Sequence, residues 1–249
     1  MTTMTLALNK KTILVTGAGS GLGKVMSLAY AKAGAQVLLL GRNNRKLEQI
    51  YDEIEISGCL SPILLPLDLE KVTEHQVNEL ALMIETELGE LNGILHCASR
   101  FAPLGPLISQ HVEQWKNVFN CNVMGAFALT KGLIPLLEKA HDASVLFTIE
   151  HHGLTLPAYW GGFGLSQNTV LNLMQLFARE YKDHPHLRFN LIAPGPIATP
   201  MRIRTHPGEV HQDQRAAELL IQPFIDWMSE RSIGKTGQTV VLSDYEGSA

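Results

Sequence analysis

The feature that most constrains this chain is an alternation of short apolar runs with stretches of helical periodicity. The runs Thr12 to Thr16, Gln36 to Leu40, Pro62 to Leu65, Gly93 to Cys97, Ser144 to Ile149, Leu187 to Ala193 and Val240 to Ser243 are rich in Val, Ile and Leu. They read as seven buried strands. Between them, Leu22 to Ala33, Leu47 to Ile56, Val77 to Leu88, Trp115 to Leu137, Ser166 to Tyr181 and Glu218 to Met228 read as helices. Strands without polar alternation are buried on both faces, and parallel neighbours require a crossover between them. The expected fold is therefore α/β: a doubly wound, mostly parallel sheet flanked by helices. At 249 residues, 45% of them hydrophobic, the chain suits one domain over 1–249. No internal repeat or low-complexity linker divides it. The irregular, Pro- and Gly-dotted region around 194–222 is expected to form a substrate loop with a short helix.

The net charge of −4 is small and the basic residues are scattered, so no nucleic-acid partner is expected. Cys59, Cys97 and Cys121 show no C-x-x-C spacing, which argues against a disulfide framework and against a zinc site. A reducing, cytoplasmic setting is the expectation. No apolar run approaches the ~18 residues of a membrane span, and the short segment before Lys10 reads as no leader.

After the first strand comes Thr16-Gly17-Ala18-Gly19-Ser20-Gly21-Leu22-Gly23, and a helix starts there. Glycines at a strand-to-helix turn let the backbone approach a pyrophosphate, whose charge the helix N-terminus favours. Such a turn without a ligand is the alternative. The strand–glycine–helix context points instead to a Rossmann-type dinucleotide site that uses Gly17, Ser20, Gly21, Leu22 and Gly23. At the end of the second strand the chain reads Leu40-Gly41-Arg42-Asn43, with no acid to meet ribose hydroxyls. An arginine there pairs with a 2′-phosphate, so Arg42 favours NADP(H), unless it is only a solvated side chain at a helix start.

The Thr-Gly-x-x-x-Gly-x-Gly spacing resembles the short-chain dehydrogenase/reductase family. Further landmarks follow in order: Asp68-Leu69, Asn122, Pro194-Gly195 with Thr199, and Thr236-Gly237. The resemblance implies that Asp68 and Leu69 lie around an adenine. It places Pro194, Gly195 and Thr199 around a nicotinamide amide. Where the family often has Asn-Asn-Ala-Gly, this chain has His96-Cys97-Ala98-Ser99, so only Ala98 survives beside the cofactor. The resemblance also implies a homodimer or homotetramer through the helices over Trp115 to Leu137 and Ser166 to Tyr181.

Active members of that family carry a Ser and a Tyr-x-x-x-Lys pair, the lysine lowering a tyrosine pKa that is otherwise near ~10. Anchored on Gly153, this chain places Glu150 at the serine, Phe163 at the tyrosine and Gln167 at the lysine position. The loss does not depend on that anchor. Four residues after Tyr30, Tyr51, Tyr159, Tyr181 and Tyr245 stand Gly34, Glu55, Phe163, Pro185 and Ala249. Of the family's catalytic set only Asn122 remains.

Two functions follow as expectations. One is an NADP(H)-binding protein of impaired or no catalysis. The other is an active NADP(H)-dependent oxidoreductase on a small carbonyl or alcohol, with His151 or Glu150 as substituted proton donor. His152 and Tyr159 are further candidates, and an extended segment would let only one of His151 and His152 face the cofactor. Adjacent histidines rarely share one ion, so no metal is expected. Of Trp115, Trp160 and Trp227, Trp160 is the best candidate for a pocket wall.

Overall fold

The structure, a computed structural model, describes residues 6–210 and 214–242. Its strands are β1 (Thr12–Thr16), β2 (Gln36–Gly41), β3 (Ile63–Pro66), β4 (Gly93–His96), β5 (Ala143–Thr148), β6 (Leu187–Ala193) and β7 (Thr239–Val241). They form one sheet in the order β3-β2-β1-β4-β5-β6-β7, and every pairing is parallel. Ser243, the expected end of the last strand, lies outside the described residues, as do positions 211–213 of the expected substrate loop. The chain runs outward from β1 to β3, then returns past β1 to start β4. That reversal opens a crevice at the carboxyl ends of β1 and β4, where doubly wound sheets hold their ligands.

The helices are α1 (Gly21–Lys32), α2 (Asn44–Ile56), α3 (Glu74–Leu88), α4 (Val112–Phe119), α5 (Gly125–Lys139), α6 (His152–Thr155), α7 (Gly161–Glu180), α8 (Pro200–Thr205) and α9 (Ile221–Met228). Met26, Tyr30, Leu47, Ile50 and Phe224 from α1, α2 and α9 build one core with Ile13 and Val15. Val77, Ile84, Leu133, Met174 and Phe177 from α3, α5 and α7 build the other with Leu14. Successive strand residues thus face opposite layers, both apolar, which is why the strands read as unbroken hydrophobic runs.

Three elements differ from expectation. The helix expected over Trp115 to Leu137 is divided into α4 and α5 by a π-type turn at Asn120–Met124. That wide turn holds Asn122, whose Oδ1 accepts the Arg100 N–H at 2.6 Å and whose Nδ2 donates to Ser166 Oγ at 2.9 Å. α7 starts at Gly161, five residues before the expected Ser166. Its glycines serve contact rather than helix breaking: a Cβ on Gly162 would lie 2.8 Å from the Trp115 ring, and one on Gly164 2.8 Å from Trp160 Cβ. Finally, His152 begins the short helix α6, so His151 and His152 do not sit in extended backbone and the alternating-face argument fails.

At the opposite end of the sheet from the crevice, Asp142 joins the ammonium of Lys11 and the guanidinium of Arg188. Arg188 is buried and also donates to Ser232 Oγ at 2.6 Å and Ser229 O at 2.7 Å. Burial alone would raise the Asp142 carboxyl, but the hydrogen bonds from Arg188 and Lys11 outweigh it and hold that carboxyl below its usual range.

Candidate dinucleotide site

A cleft of about 470 Å³ follows the carboxyl ends of the central strands. Gly17, Ser20, Gly21, Leu22 and Gly23 form its floor. Gly17 has φ +67° and closes on the β4 end, where a Cβ would stand 2.9 Å from Ala98 N. A Cβ on Gly23 would stand 2.4 Å from Gly17 O, so glycine is required at both positions. Ser20 makes no side-chain cap on α1, and the first turn of that helix carries no acid. Its N-terminal N–H groups and positive dipole end meet the cleft without a competing carboxylate.

Thr16 Oγ1 accepts the N–H groups of Cys97 and Ala98 at 3.1 and 3.0 Å. Backbone donors make this contact, so it survives the unusual sequence of the β4 end. The His96 side chain turns into the core, where Nε2 lies 2.9 Å from Thr130 Oγ1 and the ring stacks on Phe147 at 4.6 Å. Burial pushes this ring down to about 3, so it stays neutral.

On the β2 side, Arg42 lines the cleft and makes no ion pair among the described residues. Lys46 stands with it, beside Gly19, where a Cβ would approach Lys46 Cβ to 3.0 Å. Sequence reasoning missed Lys46; the basic cluster Arg42, Arg45 and Lys46 was the available signal. Asp68 and Leu69 line the same end, and Pro194, Gly195 and Thr199 the other. Thr199 Oγ1 also caps α8 by accepting the Arg202 N–H at 3.2 Å.

Beyond β5 stand the residues expected at the family's proton-relay positions. Phe163 and Gln167 both line the cleft. Phe163 is 1% exposed, edge-on to Phe101 with centroids 5.2 Å apart and 6.0 Å from the Trp160 ring. Gln167 Oε1 accepts the Glu150 N–H at 2.9 Å, and its Nε2 donates to Ser99 Oγ at 3.3 Å. Gly153 packs on Gln167, where a Cβ would lie 2.5 Å from Gln167 Cβ, so glycine lets α6 close on α7 there. Asn122 lies behind the cleft wall rather than in it.

Glu150 lines the cleft, but its oxygens are engaged. Oε2 accepts from the His152 N–H at 2.6 Å and lies 2.8 Å from His152 Nδ1, while Oε1 is 3.4 Å from an Arg202 nitrogen. Arg202, 8% exposed, donates from Nε to Glu209 at 2.7 Å and makes a second bond to the same carboxylate. Sequence reasoning missed this arginine. His151 does not line the cleft, and its Nδ1 is buried without a partner among the described residues. His152 stacks on Trp160 at 4.0 Å, outside the cleft, while Tyr159 is exposed with φ +74°. Trp160 is buried in this stack and does not line the cleft, contrary to expectation; Trp115 and Trp227 do not line it either.

The two thiols that line the cleft are held in the protonated form. Burial pushes Cys97 up to about 12, and burial with the charges of Asp68 and Glu70 pushes Cys121 up to about 11. Among the described residues no group of three His, Cys, Asp or Glu is placed to hold a metal ion. No helix among them is long and apolar enough to cross a membrane.

The family model described as short chain dehydrogenase matches residues 11–209. The chain belongs to the short-chain dehydrogenase family. It is 35% identical, over 93% of its own length and 91% of the relative's, to YciK of Escherichia coli strain K12, an oxidoreductase described as uncharacterized. A short chain dehydrogenase of Shigella flexneri 2a, solved in complex with NADP, is 35% identical with a TM-score of 0.92 over 95% of this chain and 98% of that one. One from Escherichia coli CFT073, solved with NADPH, is 34% identical with a TM-score of 0.92 over the same shares.

Proposed function

We propose that this short-chain dehydrogenase family member binds NADP(H) in the cleft and lacks the family's Tyr-Lys proton relay, so that its turnover is impaired or absent. The observation that carries this reading is a contrast within one cleft. The β2 end offers Arg42 and Lys46, two cations without ion-pair partners among the described residues, next to a glycine floor that a Cβ would fill. These suit a 2′-phosphate and a pyrophosphate. The structures of relatives with NADP and NADPH support the same cofactor. The β5 end offers Phe163, which has no proton to give, and Gln167, which has no charge.

The bound nicotinamide would supply hydride chemistry. The chain's own residues would grip the two phosphate groups, with Pro194, Gly195 and Thr199 beside the ring and Asp68 and Leu69 beside the adenine. Phe163 would keep water from the ring. A substituted donor finds less support, since His151 stands outside the cleft and both Glu150 oxygens are engaged. A homodimer through α5, the π-type turn before it and α7 is proposed as well, on the exposed apolar side chains Met124, Phe127, Leu165 and Leu176.

The test is NADPH oxidation with a panel of small aldehydes and ketones, for the wild type and the triple variant E150S/F163Y/Q167K. The wild type is expected at background, and the variant about 10² to 10⁴ faster. Steady wild-type turnover that E150A or H151A abolishes would overturn the reading and establish the substituted donor.

A further inference from the structure

Sheet order fixes which end of the dinucleotide meets which wall. The glycine floor follows β1, Arg42 follows β2 on one side, and Glu150 follows β5 on the other. A dinucleotide with its pyrophosphate on the floor and its 2′-phosphate at Arg42 has only the β4–β5–β6 side left for its nicotinamide half. Glu150 is the carboxylate lining that side.

The oxidised nicotinamide ring carries a positive charge and the reduced ring none. A fixed negative charge beside the ring therefore separates the two redox forms, whereas every contact to the adenosine half treats them alike. Glu150 is only partly neutralised. Arg202 directs two donors at Glu209, one at 2.7 Å, and meets Glu150 at the longer 3.4 Å. The chain Glu150, Arg202, Glu209 thus holds two carboxylates against one guanidinium. The other groups nearby are Arg100, paired with Glu70, Arg204, which lines the cleft but is exposed to solvent over the Phe101 ring at 4.9 Å, and His152, whose Nδ1 lies 2.8 Å from Glu150 Oε2, a hydrogen bond that a neutral imidazole makes as donor. His206 is pushed down by burial and by Arg202, so it adds no lasting positive charge at neutral pH.

We infer that this site distinguishes the redox states of its dinucleotide, holding NADP⁺ more tightly than NADPH, with Glu150 as the discriminating residue. The inference rests on the NADP(H) reading and deepens it: a protein without a proton relay would report the oxidised fraction of the NADP(H) pool. An unopposed carboxylate facing a unit charge in a partly buried site changes affinity by about one to two decades, and partial neutralisation by Arg202 leaves about tenfold.

The experiment measures dissociation constants of NADP⁺, NADPH and 2′,5′-ADP for the full chain and for E150Q, by calorimetry at neutral pH. The expected wild-type preference for NADP⁺ is about tenfold, falling toward unity in E150Q mainly through weaker NADP⁺ binding, with 2′,5′-ADP unchanged. Raising the salt concentration should narrow the wild-type ratio without any variant, which keeps the test decisive if E150Q does not fold. A wild-type ratio at or below unity, or one that neither E150Q nor salt moves, overturns the inference while the cofactor reading stands. Failure of the wild type to bind all three ligands overturns the cofactor reading, and the inference with it.

Discussion

Phe163 is enclosed by Phe101 and Trp160, yet it belongs to the cleft wall, so F163Y adds one polar atom without removing an apolar contact. Its stability cost should stay below about 1.5 kcal/mol in a urea titration, which makes the triple variant a fair test of chemistry rather than of folding. Asp142 presents the opposite case. Removing it leaves Arg188 and Lys11 buried and unpaired, so D142A should cost about 3 to 5 kcal/mol by the same measurement. The glycine floor and Arg42 could be placed from the sequence because glycine spacing and a strand end leave a pattern there, whereas Asp68 and Thr199 were placed only by the family resemblance. Arg202 could not be placed, and Lys46 showed only as part of the basic cluster with Arg42 and Arg45. A lysine in the first turn of a helix and an arginine in a Pro-rich segment occur as often on solvated surfaces, and only folding brings Arg202 to Glu150, a partner 52 residues distant.

At the scale of elements, the five inner strands β1, β2, β4, β5 and β6 were legible because burial on both faces leaves unbroken apolar runs, whereas the edge strands β3 and β7 are only partly buried. The start of α7 was not, because glycine in a sequence signals a turn while Gly162 and Gly164 are there to let Trp115 and Trp160 approach. G162A puts a Cβ 2.8 Å from the Trp115 ring and should destabilise by about 1 to 3 kcal/mol despite alanine's better helix propensity. A stabilised G162A in thermal unfolding would contradict that packing. The π-type turn at Asn120–Met124 was equally hidden, since hydrophobic periodicity continues across it and its cause is a side chain bonding to Arg100 and Ser166 on other segments. The same limit explains α6: nothing in the pair His151-His152 announces that it opens a helical turn.

Across the whole molecule, the sheet joins two cores, and a change at one strand is felt through both. His96 ties β4 to α5 while its ring remains neutral, held down to about 3 by burial against about 6.5 in the unfolded chain. Below about pH 6.5 the unfolded chain takes a proton that the folded ring refuses, so stability falls with decreasing pH across the window from about 6.5 to 3. The slope from this one group approaches 1.4 kcal/mol per pH unit as an upper bound, and H96N should remove it from the pH dependence measured by denaturant unfolding. The parallel sheet followed from alternation of strand and helix; the crevice at the β1–β4 reversal and the charge chain from Glu150 to Glu209 needed the tertiary fold. The most direct test of cofactor binding is one calorimetric titration, NADPH against this chain with NADH in a parallel cell. Saturable binding of one NADPH per chain is expected, displaced by 2′,5′-ADP, with NADH weaker by about tenfold or more because Arg42 and Lys46 would lose their phosphate. No heat of binding from NADPH, or equal affinity for NADH, would contradict the NADP(H) reading.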